Sequence, residues 1–199
     1  ACAGSGKSRT LALRIAYLVA NGCPADSIVA FTFTDKAAES IKRRVSEALS
    51  KFGLAQTLVG AMYIGTIHAY CQYLLGNVDA QYRQFEVLDE NGLKLYLLSR
   101  YRNLGLNEIA MERNARMFAT IREVANAWST ANDEALDFET IKQTDETLGS
   151  LLNRIYESLE RDQYIDFSLM IRRAVEELER NSPAINQALH GVRHILVDE

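Results

Sequence analysis

The sequence predicts an α/β fold in which helices cover a parallel β-sheet and an all-helical segment interrupts the domain. Three observations predict it. Short apolar runs alternate with helical patterns in the first third of the chain, the middle carries helical periodicity alone, and residues 194–197 return to a strand-like run, HILV. Alternating helices and strands are typical of a parallel sheet covered by helices.

The first third of the chain supplies the alternation. Apolar residues recur at helical spacing over residues 8–21, and Gly22 is a natural helix stop. The run IVAFTF at residues 28–33 is β-branched and aromatic, as expected of a buried parallel strand. The predicted order is a helix over 8–21, a strand over 28–33, a helix over 35–52, a strand over 61–67 and a helix over 68–75.

The middle of the chain, from about residue 77 to residue 161, has a different character. It contains no run that predicts a strand. Apolar residues instead recur at the spacing that lines one face of an α-helix. The predicted helices span residues 93–104, 108–131 and 148–159.

The last part of the chain returns to the α/β pattern. An amphipathic helix is predicted over residues 166–180, ahead of the strand at the end of the chain. These changes of character divide the sequence into three segments. We expect an α/β domain made of residues 1–76 and 162–199, and a helical insertion made of residues 77–161.

Composition places the chain among globular proteins and limits how it can meet nucleic acid. Of its 199 residues, 48% are hydrophobic and 24% are charged, which is enough apolar material for a buried core. The formal net charge is −4. A negative net charge excludes a surface that is positive throughout. Contact with nucleic acid must therefore be confined to a groove or patch.

The cysteines and the apolar stretches favour a reducing, aqueous setting. Cys2, Cys23 and Cys71 are odd in number and widely spaced, which fits neither a disulfide framework nor a zinc site. The longest apolar stretch, residues 11–20, is broken by Arg14 and is too short to span a bilayer. The sequence therefore predicts a cytoplasmic location and no membrane partner.

The first eight residues, ACAGSGKS, match the informative end of a phosphate-binding loop. Gly4 and Gly6 allow the backbone to curl so that N–H groups point at an anion, to which the next helix presents its positive N-terminus. Lys7 can reach the β- and γ-phosphates of a nucleotide, and the Ser8 hydroxyl can bind Mg²⁺. The first glycine of the general pattern is replaced by alanine, and the alternative is a glycine-rich turn with a solvated lysine.

Two acids, Asp198 and Glu199, end the last predicted strand. Ligands bind at the carboxyl edge of an open parallel sheet. One acid there can hold Mg²⁺ through its water shell, and the other can orient or deprotonate the attacking water. Many strands end in surface acids, so this pair alone is a weak signal. Together with the phosphate loop, it indicates nucleotide hydrolysis.

Three further segments resemble motifs of the UvrD-like helicases of superfamily 1. Residues 30–45, AFTFTDKAAESIKRRV, resemble motif Ia, written TFTNKAA and followed by a basic helix. Residues 65–68, GTIH, resemble the GTFH motif, and residues 164–169, YIDFSL, resemble the Y-x-DF-x-x-L segment that precedes the Asp-Glu motif. Order and spacing agree, so the resemblance covers essentially all 199 residues.

The resemblance implies a P-loop NTPase fold of the RecA-like type with an ATP site. Lys7 and Glu199 would be catalytic, with Glu199 as the catalytic carboxylate. Ser8 and Asp198 would hold Mg²⁺, and Arg9 would pack against the adenine. The ATP-binding residues would be Ala3, Gly4, Ser5, Gly6, Lys7, Ser8 and Arg9.

The resemblance also implies a DNA motor. Phe33, Thr34, Lys36, Thr66 and His68 would line the track for single-stranded DNA. The helical insertion would be the family's subdomain 1B, which helps to hold the duplex ahead of a fork. ATP would lie between this domain and a second RecA-like motor domain of the same full-length chain, and the motor would move 3′ to 5′.

Three positions depart from the family pattern. Cys2 stands where glycine is frequent, Asp35 replaces an asparagine, and Ile67 replaces a phenylalanine. Asp35 brings a negative charge near a phosphate backbone. It is therefore left out of the DNA-binding set.

Without the family, several of these residues have a second interpretation. Phe33 is favoured as a core strand residue over one that stacks on a base, and His68 suits a phosphate contact or a helix cap equally. The basic run at residues 42–44 is favoured as a solvated helix face. Trp128 is predicted to anchor the core of the helical insertion.

Three alternatives stand beside the helicase. A RecB/AddA-type helicase joined to a nuclease would carry a downstream nuclease motif. A non-motor phosphate-loop NTPase, such as a small-molecule kinase, would leave motif Ia and GTIH unexplained. A DNA-binding module with a decayed ATPase is disfavoured because Lys7, Ser8, Asp198 and Glu199 are intact. The sequence begins inside a motif and ends on two acids, as if cut from a longer protein, so we expect little ATP hydrolysis from this chain alone.

Overall fold

The structure is a computed structural model that describes residues 6–198. Contacts divide the chain into two compact units. One comprises Ala1–Tyr73 and Pro183–Glu199, and the other comprises Leu74–Ser182. Within residues 6–198, every helix is too short or too polar to cross a membrane.

The first unit is a parallel sheet with helices, as the sequence predicts. Two short 3₁₀ turns, Ala25–Ser27 and Gln56–Ala61, lead into its first two strands. The strands are β1 (Ile28–Thr32), β2 (Tyr63–Thr66) and β5 (His194–Val197). The helices are α1 (Lys7–Ala20), α2 (Asp35–Lys51), the beginning of α3 (Ile67–Val78) and α10 (Pro183–Ala188).

The strand order of this sheet is β2-β1-β5, and both pairings are parallel. Thr32 lies opposite Thr66, and Phe31 lies opposite Val197. Because all three strands run in the same direction, their carboxyl ends meet at one edge of the sheet. This edge therefore collects the residues that follow each strand.

Helices α1 and α2 share one hydrophobic core with β1 and β2. Ile15 of α1, Ile28 of β1 and Ile41 of α2 are almost completely buried in it. Burying each such side chain stabilises the fold by about 1.5–3 kcal/mol. The core fixes the two helices to the sheet and, with them, the segments that begin each helix.

The strand predicted over residues 194–197 is confirmed, whereas the other two predicted strands of this unit are longer than those observed. The strand predicted over residues 28–33 ends one residue earlier in the structure, at Thr32, because Phe33 leaves the sheet. The prediction for residues 61–67 is shortened to Tyr63–Thr66. There the Thr66 hydroxyl accepts a hydrogen bond from the Ala69 backbone N–H at 3.3 Å, which begins α3 directly after the strand.

The second unit is built mainly of helices. Three of them are each capped at the N-terminus by an aspartate side chain. The elements are β3 (Glu86–Leu88), α4 (Glu90–Ser99), α5 (Leu106–Glu112), α6 (Met117–Asp133), α7 (Phe138–Thr144), α8 (Glu146–Asp162), β4 (Tyr164–Asp166) and α9 (Phe167–Arg180).

The prediction of an all-helical insertion is wrong, because β3 and β4 form a two-stranded parallel sheet with Val87 opposite Ile165. Strands of three residues are too short to show a periodicity of two, and their pairing joins distant parts of the sequence. Both β4 and α9 belong to the compact unit Leu74–Ser182. The division of the chain at residues 77 and 161 stays a prediction.

The predicted helix over residues 108–131 is also wrong as a single element. It is interrupted between α5 and α6, where Asn114 adopts the left-handed conformation with φ of 47°. Asparagine tolerates this conformation better than most residues, and the apolar pattern on either side conceals the break. Likewise, the helix predicted over residues 93–104 ends at Ser99.

Trp128 anchors the core of the second unit, as predicted. Its side chain is fully buried. Its indole Nε1–H donates to Asp166 Oδ1 at 3.0 Å, a buried hydrogen bond that links α6 to the end of β4. Burial raises the pKa of Asp166, and the hydrogen bond from Trp128 opposes that rise. The aspartate of the YIDFSL segment thus has a structural role in this unit.

Replacing Asp166 by alanine should lower the free energy of unfolding by about 1–3 kcal/mol, because the buried indole N–H loses its acceptor. Asp166→Asn keeps an acceptor oxygen and lacks the charge. It should therefore cost less than about 1 kcal/mol. Urea denaturation of both variants checks this, with Asp133→Ala as an exposed acid control. Equal losses for the alanine and asparagine variants would contradict the role of the hydrogen bond.

Candidate functional site

The described end of the phosphate loop forms the start of α1. Gly6 is the N-cap residue and adopts the left-handed conformation with φ of 86°, which favours glycine. Lys7 and Ser8 lie in the first turn. Neither a capping side chain nor an acidic residue occupies this helix start in the described part of the chain, so its backbone N–H groups suit an anion. Ala3, Gly4 and Ser5 lie outside the described residues.

Ser8 and Asp198, predicted as the Mg²⁺ pair, meet in the structure. The Ser8 hydroxyl donates to Asp198 Oδ2 at 2.8 Å across 190 positions of sequence. The Asp198 backbone N–H donates to the Phe31 carbonyl oxygen at 2.9 Å, which ties the aspartate to β1. A hydroxyl and a carboxylate side by side are oxygen ligands of the kind that Mg²⁺ prefers. Glu199 lies outside the described residues.

Arg9, predicted to pack against adenine, is exposed on α1. It lines an open groove of about 380 Å³ between α1 and α2, whose other charged residues are Arg43, Arg44, Lys51 and the acidic Glu47. Arg43 and Arg44 are exposed, and Lys42 forms an ion pair with Glu39 at 2.7 Å, which agrees with a solvated helix face. The positive charge of this unit is therefore partly gathered near the start of α1.

The segment after β1 carries Phe33, Thr34 and Lys36 into solvent. Phe33 is 82% exposed, so its interpretation as a core residue is wrong and a face for stacking is available. The Thr34 hydroxyl accepts from the Ala37 N–H at 3.1 Å and caps α2. Lys36 is exposed in the first turn of that helix, beside Asp35. An exposed aromatic ring next to a lysine suits a nucleic-acid strand.

The segment after β2 carries Thr66 and His68. The Thr66 hydroxyl supplies the acceptor at the start of α3 described above. His68 is partly buried, and burial lowers the pKa of its imidazole below the ordinary value. His68 is therefore mainly neutral at pH 7, and a nearby phosphate would favour its protonated form.

These groups lie along one edge of the sheet. The strand order puts the end of β1 between the ends of β2 and β5. From one side to the other, the edge presents Thr66 and His68, then Phe33 with Lys36, then Asp198 beside Ser8. Within the described residues, the predicted Mg²⁺ pair and the predicted DNA residues thus share this edge, whereas Arg9 lines the groove between α1 and α2.

Tyr63, the first residue of β2, contacts this edge through its side chain, and the sequence did not predict this role. Its phenol hydroxyl donates to the Thr66 carbonyl oxygen at 2.9 Å. The ring also makes edge-to-face contacts with Phe31 and Tyr70. The only signal in the sequence is an aromatic residue two positions before Gly65, and the strand pattern explains it equally well as packing.

Comparison with known proteins assigns the whole chain to one family. The model of the UvrD/REP helicase N-terminal domain matches residues 1–199. The chain is 32% identical to DNA helicase II of Haemophilus influenzae, over 99% of this chain and 27% of that protein. DNA helicase II of Escherichia coli is also 32% identical, over 99% of this chain and 26% of that protein.

The ATP-dependent DNA helicase PcrA of Staphylococcus aureus is 28% identical, over 99% of this chain and 26% of that protein. The chain spans about a quarter of the length of these relatives. The family model, in contrast, describes an N-terminal domain, and it matches every residue of the chain. The chain therefore belongs to the UvrD/REP helicase N-terminal domain family.

Proposed function

We propose that the chain is the ATP-binding N-terminal part of a longer ATP-dependent DNA helicase, called the full-length protein below. One observation supports this above the others: the Ser8–Asp198 contact lies at the same sheet edge as the exposed Phe33. A phosphate-binding helix start beside a stacking surface is what a motor needs to couple hydrolysis to movement on a strand. The relatives that match the chain are named as DNA helicases.

In this proposal ATP binds with Mg²⁺ at the start of α1. Lys7 contacts the β- and γ-phosphates, and Ser8 and Asp198 hold the ion, which neutralises charge on the transferred phosphoryl group. Glu199 orients or deprotonates the attacking water. Ala3, Gly4, Ser5, Gly6 and Arg9 complete the ATP site, with Arg9 against the adenine.

Single-stranded DNA follows the neighbouring part of the edge. Phe33 stacks on a base, while the cation of Lys36 approaches the phosphates. Thr34, Thr66 and His68 complete the track. A second RecA-like motor domain of the full-length protein closes over ATP and supplies a transition-state arginine, so the 199-residue chain alone hydrolyses ATP slowly. The insertion at residues 77–161 holds duplex DNA at a fork, the motor moves 3′ to 5′, and the protein acts in the cytoplasm.

Two other functions are less well supported. A small-molecule kinase would have no use for an aromatic ring that is 82% exposed beside the phosphate site. The three relatives named above are called DNA helicases, so a helicase-nuclease subunit is not favoured. Unwinding without DNA cleavage is thus the expected activity.

A strand-displacement assay tests the proposal. The full-length protein should release the labelled strand of a forked duplex with a 3′ single-stranded tail when given ATP and Mg²⁺. It should release none with a non-hydrolysable ATP analogue, and the strands should stay uncut. Transfer of the γ-phosphate to a small acceptor, with no strand release, would overturn the helicase in favour of a kinase.

A further inference from the structure

The ring of Tyr63 packs in one cluster with two other aromatic rings of the first unit, which also contact each other. Its centroid lies 6.1 Å from that of Phe31 and 4.7 Å from that of Tyr70, with interplanar angles of 67° and 61°. Such edge-to-face pairs add about 0.5–1.5 kcal/mol each beyond the burial of area. The ring is therefore fixed relative to both β1 and α3.

Gly65 makes room for this ring. Tyr63 and Gly65 are two residues apart in β2 and so point to the same face of the strand. A Cβ built on Gly65 would lie 2.7 Å from Tyr63 Oη and 2.9 Å from its Cζ, closer than a Cβ approaches non-bonded atoms in proteins. A side chain at this position would force the Tyr63 ring to shift, because the ring folds across the backbone of Gly65.

The ring brings the hydroxyl to the turn between β2 and α3. Tyr63 Oη donates to the Thr66 carbonyl oxygen at 2.9 Å, while the Thr66 hydroxyl accepts from the Ala69 N–H. Burial, as the largest cause, raises the pKa of Tyr63 to about 12, so the hydroxyl keeps its proton at neutral pH. Both the carbonyl oxygen and the hydroxyl of Thr66 therefore accept hydrogen bonds that hold the turn. Ile67 and His68 follow directly after Thr66.

We propose that Tyr63 is a positioning residue for DNA. Through the Thr66 carbonyl, it fixes the Thr66–His68 turn at the height of Phe33, so that both segments contact one strand of DNA together. This inference rests on the proposed function. It also explains the glycine at position 65, which leaves space for the Tyr63 ring that holds the turn.

Two substitutions in the full-length protein test the Tyr63–Thr66 hydrogen bond and the packing of the ring over Gly65 separately. Tyr63→Phe removes only the hydroxyl and should raise the Kd for single-stranded DNA by about 3- to 10-fold, as expected for one hydrogen bond. Gly65→Ala displaces the ring and should raise that Kd by more than about 10-fold. In a Tyr63→Val background, where no ring remains, adding Gly65→Ala should have little further effect, because the two residues act through one contact.

A comparison of rates separates positioning from a general structural role. For Tyr63→Phe, the DNA concentration that gives half-maximal ATPase stimulation should rise, while the maximal rate and the ATP affinity without DNA stay unchanged. Tyr17→Phe, which removes the same hydroxyl from a half-exposed ring on α1, is the control and should match the wild type.

Two outcomes would overturn the inference. In one, Tyr63→Phe binds DNA as Tyr17→Phe does; in the other, ATP affinity, maximal rate and DNA affinity fall together, as for a destabilised fold. Failure of the wild type itself to bind single-stranded DNA would instead overturn the proposed function. The two failures are therefore distinguishable.

Discussion

Replacing Glu199 by glutamine in the full-length protein is expected to lower the turnover number for ATP by about 10²–10⁴-fold and to leave ATP affinity nearly unchanged. Glutamine keeps the size of the side chain and loses its ability to take a proton from water. Lys7→Ala should behave differently. The lysine charge acts on the phosphates in both the ground state and the transition state, so both ATP affinity and turnover should fall.

Nucleotide affinity and turnover must be measured separately for the two variants. Binding of a fluorescent ATP analogue gives the first, and steady-state hydrolysis at saturating ATP gives the second. A Glu199→Gln variant that hydrolyses ATP at the wild-type rate would remove Glu199 from the chemistry. A Lys7→Ala variant with wild-type ATP affinity would remove Lys7 from the phosphate site.

Asp198→Ala should lower turnover by at least about 10²-fold, because a metal ion that is poorly held loses several kcal/mol of charge stabilisation. The contact between Asp198 and the Ser8 hydroxyl motivates this expectation. Ser8→Ala should reduce turnover in the same direction. Ser8→Thr keeps a hydroxyl at the same position and is the matched control, with turnover close to that of the wild type.

Titration with Mg²⁺ identifies the cause of the loss. The Mg²⁺ concentration for half-maximal hydrolysis should rise in Asp198→Ala and in Ser8→Ala, and should stay near the wild-type value in Ser8→Thr. Reduced turnover with an unchanged Mg²⁺ dependence in both alanine variants would contradict metal binding by this pair.

The long amphipathic helices of the chain could be predicted from sequence alone. Helix α2 begins after a Thr34 cap and ends near Gly53, and both signals are local. The strands beside it could be located because their apolar runs are bounded by turns. The pairing of Ser8 with Asp198 could be anticipated only because two motifs had to meet, since nothing local links residues so distant in sequence.

Other features could not be predicted, because they depend on contacts between distant or very short segments. Strand β3 has three residues and exists through its pairing with β4. The exposure of Phe33 depends on where β1 ends, and its residue type favours the opposite answer. The hydrogen bond from Tyr63 depends on a rotamer that only the surrounding rings define.

We propose that the ATP site and the DNA track share one sheet edge and work together. The most direct measurement is the steady-state ATPase rate of the full-length protein, with and without single-stranded DNA, across a range of salt concentrations. The rate should rise with DNA, and more DNA should be required for the same rise as salt increases, because phosphate contacts are screened. An ATPase rate that is indifferent to single-stranded DNA at every salt concentration would contradict it.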